Sequence, residues 1–388
     1  MNFLSDTGLE SLWEDPEHLY SEKYAMACKM HWDSLAKPLD GLGAFEDIIS
    51  RIGGIQHSDT PSIRRRCLLI FLSDNGIVEE GVSQCGSEVT HSVAEAMSHG
   101  RSTSCIMAEK AGIPVCPVDI GMKGEKIDHI IDQRIRDGSR NFAVEPAMTL
   151  KETREAIRAG REVTDSLTKD GLECLLLGEM GIGNTSTAAA VGCALLNLDP
   201  GSFIGTGAGL TPEKTANKRK VIRDALIKYG FFDPEAFDAK TINPEAFNSV
   251  ASLSGKTALP EEDILKILAA FGGYDIAGMV GAILSAAAHR IPVVLDGLIT
   301  LTAALLAVRL VPAVKRILIP SHFPREPLGK RILQELELTS VIHGNMALGE
   351  GTGAILLIPM LDVCLDYYYN GTSFGGLGIE AYKRSDKG

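Results

Sequence analysis

Two glutamates stand directly against glycine-rich turns. Glu179 opens the stretch "GEMGIGNTSTAAA": an apolar run ends at Gly178, the acid follows, and then come Gly181, Gly183, Asn184, Thr185 and Ser186. Glu350 lies in "GNMALGEGTGAILLIPML", between Gly349 and Gly351 and ahead of a strongly apolar segment. Glycines lack a Cβ, so backbone N–H groups beside them can approach a ligand closely. A helix start with free N–H groups is an anion site. Asn184, Thr185 and Ser186 are good N-cap residues for a helix over "TAAAVGCALL". The first loop therefore suits a phosphate, or a tight strand-to-helix turn with a capped helix behind it. No Lys-Ser/Thr pair closes it and the glycines do not space as GxGxxG, so neither a Walker loop nor a dinucleotide fold is signalled.

A second loop, "GTGAGLTPEKTANKRK", repeats the logic. Gly205, Gly207 and Gly209 alternate, and Lys218 and Lys220 follow on the next helical segment. A lysine is a point charge suited to phosphate; the other reading is a solvated helix face. For Glu350 the local sequence offers a capping glutamate or a general base. A base needs reach to its proton and a pKa near working pH, and from this stretch alone the cap is the simpler reading. "FLSDNGIVEEGVSQCGSEVTH" gathers Asp74, Glu79, Glu80, Ser83, Glu88 and His91, but their spacing matches no metal-ligand set. No GxSxG elbow is present. No metal and no cofactor are expected.

The elements that must position these residues follow one rhythm. A short apolar run, a Gly- or Asp-rich turn and a helical segment recur from "CLLIFLSDNG" through "IPVCPVDIGM", "LECLLLGEMGIG", "GSFIGTGAG" and "IPVVLDG" to "RILIPSH". Such alternation predicts an α/β fold with a doubly wound, mostly parallel sheet and helices on both faces. Ligands of such sheets collect at the carboxyl ends of the strands. Asp74, Glu179, Gly205, Asp296 and His322 then share one rim. Residues 61–338 carry the rhythm and form the core; residues 1–60 and 339–388 lack it and form a smaller helical part completing the site.

The chain has 388 residues, 45% of them hydrophobic, and a formal net charge of -12, which argues against a non-specific nucleic-acid binder. Eight cysteines contain no CxxC, as in a reducing compartment, so a cytoplasmic protein without disulfides is expected. The acidic N-terminus has no signal-peptide order. The segment nearest to a membrane span, "IPVVLDGLITLTAALLAVRLVPAV", is broken by Asp296, Arg309 and two prolines and reads as a strand followed by a buried helix. No membrane association is expected.

Together these stretches resemble the nicotinate-nucleotide:5,6-dimethylbenzimidazole phosphoribosyltransferase family of cobalamin biosynthesis. The likeness runs in order through "SDNGIVEEGVS", "PVDIGM", "DGSRNF", "EPAMT", "GEMGIGNTSTAAA", "GTGAGL" with Lys218, "FGGYDIAGMVGAIL", "PVVLDGLIT", "SHFPREP" and "MALGEGTGA". "GEMGIGNT" and "LGEGTGA" are its most specific parts. The resemblance implies a homodimer of doubly wound α/β fold that moves phosphoribose from nicotinate mononucleotide to an aromatic base, releasing nicotinate with inversion at the anomeric carbon. It puts the general base on Glu350 and a second acid near the sugar on Glu179. It places the nucleotide phosphate on Gly181, Gly183, Asn184, Thr185, Ser186, Gly205, Gly207 and Lys218. Ser83, Ser87, His91, Met180, His322 and Leu348 would frame the incoming base.

This sequence departs from the family at that frame. The family reads Asp-His-Gly at Asp74-Asn75-Gly76, Pro-Gln-Glu-Val-Thr at Gly86-Ser87-Glu88-Val89-Thr90, Met-Arg-Leu-Gly-Glu-Gly at Met346 to Gly351, and Ser-Ala-Glu at Pro324-Arg325-Glu326. The phosphate loops are intact. Neutral drift at a pocket rim and a retuned acceptor, such as a purine or phenol, both fit. The retuned enzyme could work with a paralogous partner chain. A non-catalytic nucleotide-binding paralogue is the further alternative, against which stand the retained Glu350, Glu179 and Lys218.

Overall fold

The computed structural model describes residues 16–207, 209–233 and 259–384. Six strands, β1 Arg66–Ser73, β2 Val115–Gly121, β3 Ile131–Asp132, β4 Cys174–Met180, β5 Val293–Leu295 and β6 Leu318–Pro320, form one sheet. Every pairing is parallel, in the order β3-β2-β1-β4-β5-β6. The order reverses between β1 and β4, which opens a crevice at their carboxyl ends. Asp74 follows β1 there, and Glu179 is paired with Phe71 near the end of β4.

Successive strand residues point to opposite faces, and both faces are buried. Leu69, Phe71, Leu175, Leu177, Val293 and Leu295 enter one core, while Leu68, Ile70, Leu72, Leu176, Val294 and Ile319 enter the other. Helices from both ends of the chain cover the second core: α1 Glu22–Ser34, α2 Ala44–Gln56, α3 Glu88–Ser98, α4 Thr103–Lys110 and α12 Thr352–Asn370. The first core lies under the middle helices: α5 Leu150–Lys169, α6 Asn184–Leu196, α7 Pro212–Lys228, α8 Glu261–Phe271, α9 Tyr274–Ala288, α10 Leu298–Leu310 and α11 Pro327–Glu335. The segment nearest to a membrane span divides into β5 and the buried helix α10, and no helix among the described residues is long and apolar enough to cross a membrane. The eight cysteines are unpaired. Residues 1–15 and 385–388 of the expected smaller helical part lie outside the described residues.

One expected strand is absent. "GSFIGTGAG" makes a single helical turn, Pro200–Phe203, and then the loop bearing Gly205 and Gly207. Pro200 has the fixed φ of a helix start, and Phe203 and Ile204 are buried in the first core instead of extending the sheet.

The tightest packing is between α5 and α9. Helix α9 is apolar all round and buried from Tyr274 to Ala287, as a helix inside the core must be. It meets α5 through glycines: a Cβ built on Gly160 would lie 1.8 Å from the Gly278 carbonyl oxygen, and one on Gly281 the same distance from that of Ile157. Alanine in a helix gains about 1 kcal/mol over glycine by propensity. Forcing it against a backbone carbonyl costs about 3 kcal/mol or more, so the clash wins. Gly160→Ala is therefore expected to lower the urea midpoint at unchanged slope. A raised midpoint would show the two helices standing farther apart than this.

Candidate functional site

The carboxyl ends of β1, β4, β5 and β6 bring the acids together. Glu179 is buried, and its Oε2 accepts a hydrogen bond from Asn184 Nδ2 at the start of α6. Burial, ahead of the nearby charges of Asp275, Asp296 and Glu350, pushes its carboxyl well above the ordinary carboxylate range; the Asn184 bond offsets only part. The loop that carries Glu350 passes directly over it. A Cβ on Gly349 would lie 2.9 Å from Glu179 Oε1, so a glycine is required at that crossing.

Glu350 itself has φ +55°, in the left-handed region, flanked by Gly349 and Gly351, also at positive φ. A non-glycine residue there is strained and is held by its surroundings. Two attachments hold it. Asp296, just after β5, accepts the Gly351 N–H at 3.1 Å and the Gly353 N–H at 2.7 Å, which fixes the start of α12. Ser104, in the first turn of α4, donates to Glu350 Oε2 through its Oγ at 2.9 Å and its N–H at 3.3 Å. Ser102 caps α4 by accepting the Cys105 N–H, and its Oγ lies 2.9 Å from that of Ser104. His322 Nδ1 stands 3.7 Å from Asp296 Oδ1. Burial drives this pair toward its neutral forms, raising Asp296 and lowering His322 against their mutual attraction.

The glycine loops are arranged differently from the sequence expectation. The N-cap of α6 is Gly183, at φ +94°, and the helix begins at Asn184, whose side chain turns to Glu179 instead of capping. The N–H groups of Gly205 and Gly207 already hold an anion of the protein: they donate to the two carboxylate oxygens of Glu326, at 3.0 and 2.9 Å. Lys218 is not part of a solvated face. It is 1% exposed, and its Nζ donates to Thr185 Oγ1 at 2.9 Å. Burial lowers its pKa to about 8, with Glu326 opposing. An ammonium carries three donors, and Thr185 is its hydrogen-bond partner among the described residues. Lys220, by contrast, pairs with Asp224 on the surface.

One cavity of about 160 Å³ joins these parts. Of the residues singled out in the sequence, Glu179, Met180, Gly181, Asn184, Thr185, Gly207, His322, Leu348 and Glu350 line it. Gly183, Ser186, Gly205 and Lys218 do not line it but adjoin residues that do. Ser83, Ser87 and His91 lie elsewhere. Ser83 Oγ donates to the Cys85 carbonyl, Ser87 precedes α3, and the His91 ring packs beside Gly124. Asp296, Arg325, Glu326 and Ala347 also line the cavity. Ser104 was invisible in the sequence because its partner is a carboxylate far along the chain. A larger open cleft of about 840 Å³ lies away from the strand ends beside Arg51, Lys315 and Arg316. Its cations are already committed: Arg51 donates to the Lys315 and Arg316 carbonyls, and the other two pair with Glu337 and Glu22.

Beneath the cavity Asp275 opens α9 fully buried. Its Oδ1 accepts the Ile276 N–H at 2.9 Å, while its Oδ2 and Asn75 Oδ1 have no hydrogen-bond partner among the described residues. Both side chains crowd Gly273, where a Cβ would lie 2.3 Å from Asp275 Oδ1 and 2.4 Å from Asn75 Oδ1. Burial pushes the Asp275 carboxyl up to about 7. Between the ordinary carboxylate range and that value the folded protein holds a proton that the unfolded chain has lost, so this group's contribution to stability falls as pH rises through that window. Asparagine cannot ionise. Asp275→Asn is expected to raise the melting temperature, relative to wild type, more at about pH 8 than at about pH 5. An equal change at both would show Asp275 ionised in the fold.

Known proteins resemble this chain along most of its length. A family model described as phosphoribosyltransferase matches residues 18–243 and 245–378. The nicotinate-nucleotide–dimethylbenzimidazole phosphoribosyltransferase of Clostridium acetobutylicum is 36% identical over 352 residues, covering 90% of this chain and 92% of the relative. The protein of that name from Acetivibrio thermocellus is 36% identical over 366 residues, covering 94% and 96%. Among solved structures, CobT from Thermus thermophilus superposes with a TM-score of 0.80 at 30% identity, over 93% of this chain and all of that one. With these relatives matched almost end to end and the fold shared with a solved structure, this chain belongs to the nicotinate-nucleotide–dimethylbenzimidazole phosphoribosyltransferase family and is an enzyme of that class.

Proposed function

We propose that the protein transfers the phosphoribosyl group of nicotinate mononucleotide to 5,6-dimethylbenzimidazole or a related lower-ligand base, giving an α-ribazole 5′-phosphate and nicotinate with inversion at the anomeric carbon. The observation that carries this reading is the make-up of one cavity. A strained, doubly anchored glutamate stands on one wall, and a buried lysine with unused donors stands behind the other.

The 5′-phosphate sits at the amino end of α6, against the Gly181 to Ser186 turn, with Thr185 and the Lys218 ammonium beneath it. A charge-assisted bond to phosphate uses the ammonium donors that Thr185 leaves free. The ribose then faces Glu179. The acceptor nitrogen attacks the anomeric carbon from the face opposite the pyridine. The glycosidic C–N bond breaks, and its electron pair returns to the pyridine nitrogen, so nicotinate leaves without protonation at that atom. The attacked base is left cationic and gives up its ring N–H proton. Glu350 receives it. Ser104 occupies Oε2, so Oε1 is the oxygen turned to that proton. Met180, His322 and Leu348 line the base side.

A homodimer is part of this reading. Leu356, Met360 and Val363 form an exposed apolar stripe along α12, and Ile106 is exposed on α4, which packs against it. Spacing of four and three residues puts the stripe on one helix face.

The test is turnover of purified protein with nicotinate mononucleotide and, in separate reactions, dimethylbenzimidazole, adenine, phenol and p-cresol, following nicotinate and the new riboside by chromatography. Dimethylbenzimidazole riboside supports the reading; turnover confined to another acceptor replaces the acceptor and keeps the donor. Glu350→Gln keeps the shape and removes the base. It is expected to lower kcat by roughly 100- to 10,000-fold while leaving the nucleotide KM within about threefold. A near-normal kcat would take the base role from Glu350.

A further inference from the structure

The cavity is rich in acids. Glu179, Asp296, Glu326 and Glu350 all line it, and Arg325 is the one lysine or arginine among the described residues that do. His322 supplies no standing charge, because burial lowers its pKa. Yet no acid takes Arg325 as a partner. Glu326 is held by the Gly205 and Gly207 N–H groups, Glu350 by Ser104, Asp296 by Gly351 and Gly353, and Glu179 by Asn184. Arg325 instead donates Nε and Nη2 to one backbone carbonyl, that of Asn345, at 3.1 and 2.8 Å. Its backbone N–H meets the Met346 carbonyl at 3.4 Å. These bonds fix the plane of the guanidinium. Of its five N–H donors two are spent, and Nη1 has no hydrogen-bond partner among the described residues.

A donor nucleotide that enters this cavity carries two anionic ends, the phosphate and the pyridine carboxylate. Lys218 answers the first. Resting on the reading of nicotinate mononucleotide as donor, we infer that Arg325 answers the second: it binds the carboxylate of the nicotinate ring and sets the preference for the acid over the neutral amide, nicotinamide mononucleotide. Without a cation, the acids of this cavity that remain ionised would repel that group. With one, a planar fork meets a planar carboxylate in the geometry that suits both. Arg325 reaches the loop that carries Ala347 from the neighbouring segment.

The experiment compares wild type, Arg325→Ala and Arg325→Lys with nicotinate mononucleotide and with nicotinamide mononucleotide at saturating dimethylbenzimidazole, alongside direct binding of nicotinate and thermal melts to confirm folding. Arg325→Ala is expected to raise the KM for the acid donor roughly 10- to 100-fold, with kcat and the KM for the amide donor within about threefold. Nicotinate binding weakens in parallel, and Arg325→Lys falls between. An unchanged acid-to-amide preference overturns the inference. So does an equal loss of kcat with both donors, the mark of a loop pin, and so does a rise confined to the KM of the acceptor. Wild-type protein that neither turns over nor binds nicotinate mononucleotide removes the donor reading itself; wild-type turnover with an indifferent Arg325→Ala variant removes only the role of Arg325.

Discussion

The site depends on one backbone-to-backbone contact. The peptide joining Glu350 and Gly351 rests on Gly178 in β4: a Cβ built on Gly178 would come within 2.8 Å of Gly351 N and 3.0 Å of Glu350 O. No side chain fits between them. This contact lets a loop from the carboxyl-terminal segment lie on the end of a central strand and bring Glu350 beside Glu179. Asp296 completes the clamp from β5 through the two N–H groups that start α12. A buried carboxylate accepting two backbone donors at a helix start is well matched to the helix dipole, so the acid that anchors the loop is stabilised by the element it anchors.

The same constraint explains why strain is concentrated here. Asn345, Gly349, Glu350 and Gly351 all have positive φ within a single short loop. The glycines and Asn345 adopt that geometry at little cost; Glu350 does not. Glu350 is compensated from another element, by the Ser104 hydroxyl and N–H. Strain held from outside fixes a side chain in one orientation, which is what a proton acceptor needs if it is to meet a nitrogen at a set point in space.

Much of this was legible in the sequence, and the exceptions have physical causes. The apolar runs announced β1, β2, β4, β5 and β6 because both sheet faces are buried and leave no polar alternation. Strand β3 has two residues and pairs only through Val118 and Asp119, too short to leave a pattern. The run at Gly201 to Gly205 looked like a strand because burial of Phe203 and Ile204 is the same signal in any conformation. The Glu179 and Glu350 turns stood out because glycine and acid together have few structural uses. Ser104, Asp275 and the commitment of Glu326 to the Gly205 loop were not legible: each is a polar residue whose surroundings come from far along the chain. Ser83, Ser87 and His91 show the converse, a polar cluster that neighbours the rim in sequence and stands outside the cavity.

The two glutamates occupy opposite environments, and the difference suits the tasks proposed for them. Glu179 is enclosed, ringed by Asp275, Asp296 and Glu350, and raised well above the ordinary range, so its neutral form is favoured and it can approach an electron-poor sugar without adding a charge. Glu350 meets only donors at Oε2, a serine hydroxyl and a backbone N–H, and the backbone N–H cannot reverse its role. A carboxylate fixed in this way at one oxygen has the other left for chemistry. Environment separates the roles of two chemically identical side chains. Asn184 extends the division. By donating to Glu179 instead of capping α6, it leaves the helix N–H groups free of a side-chain cap and ties the acid proposed to face the sugar to the element proposed to hold the phosphate. On the proposed reading, the binding of one end of the nucleotide and the placement of the acid at the other depend on the same first turn of helix.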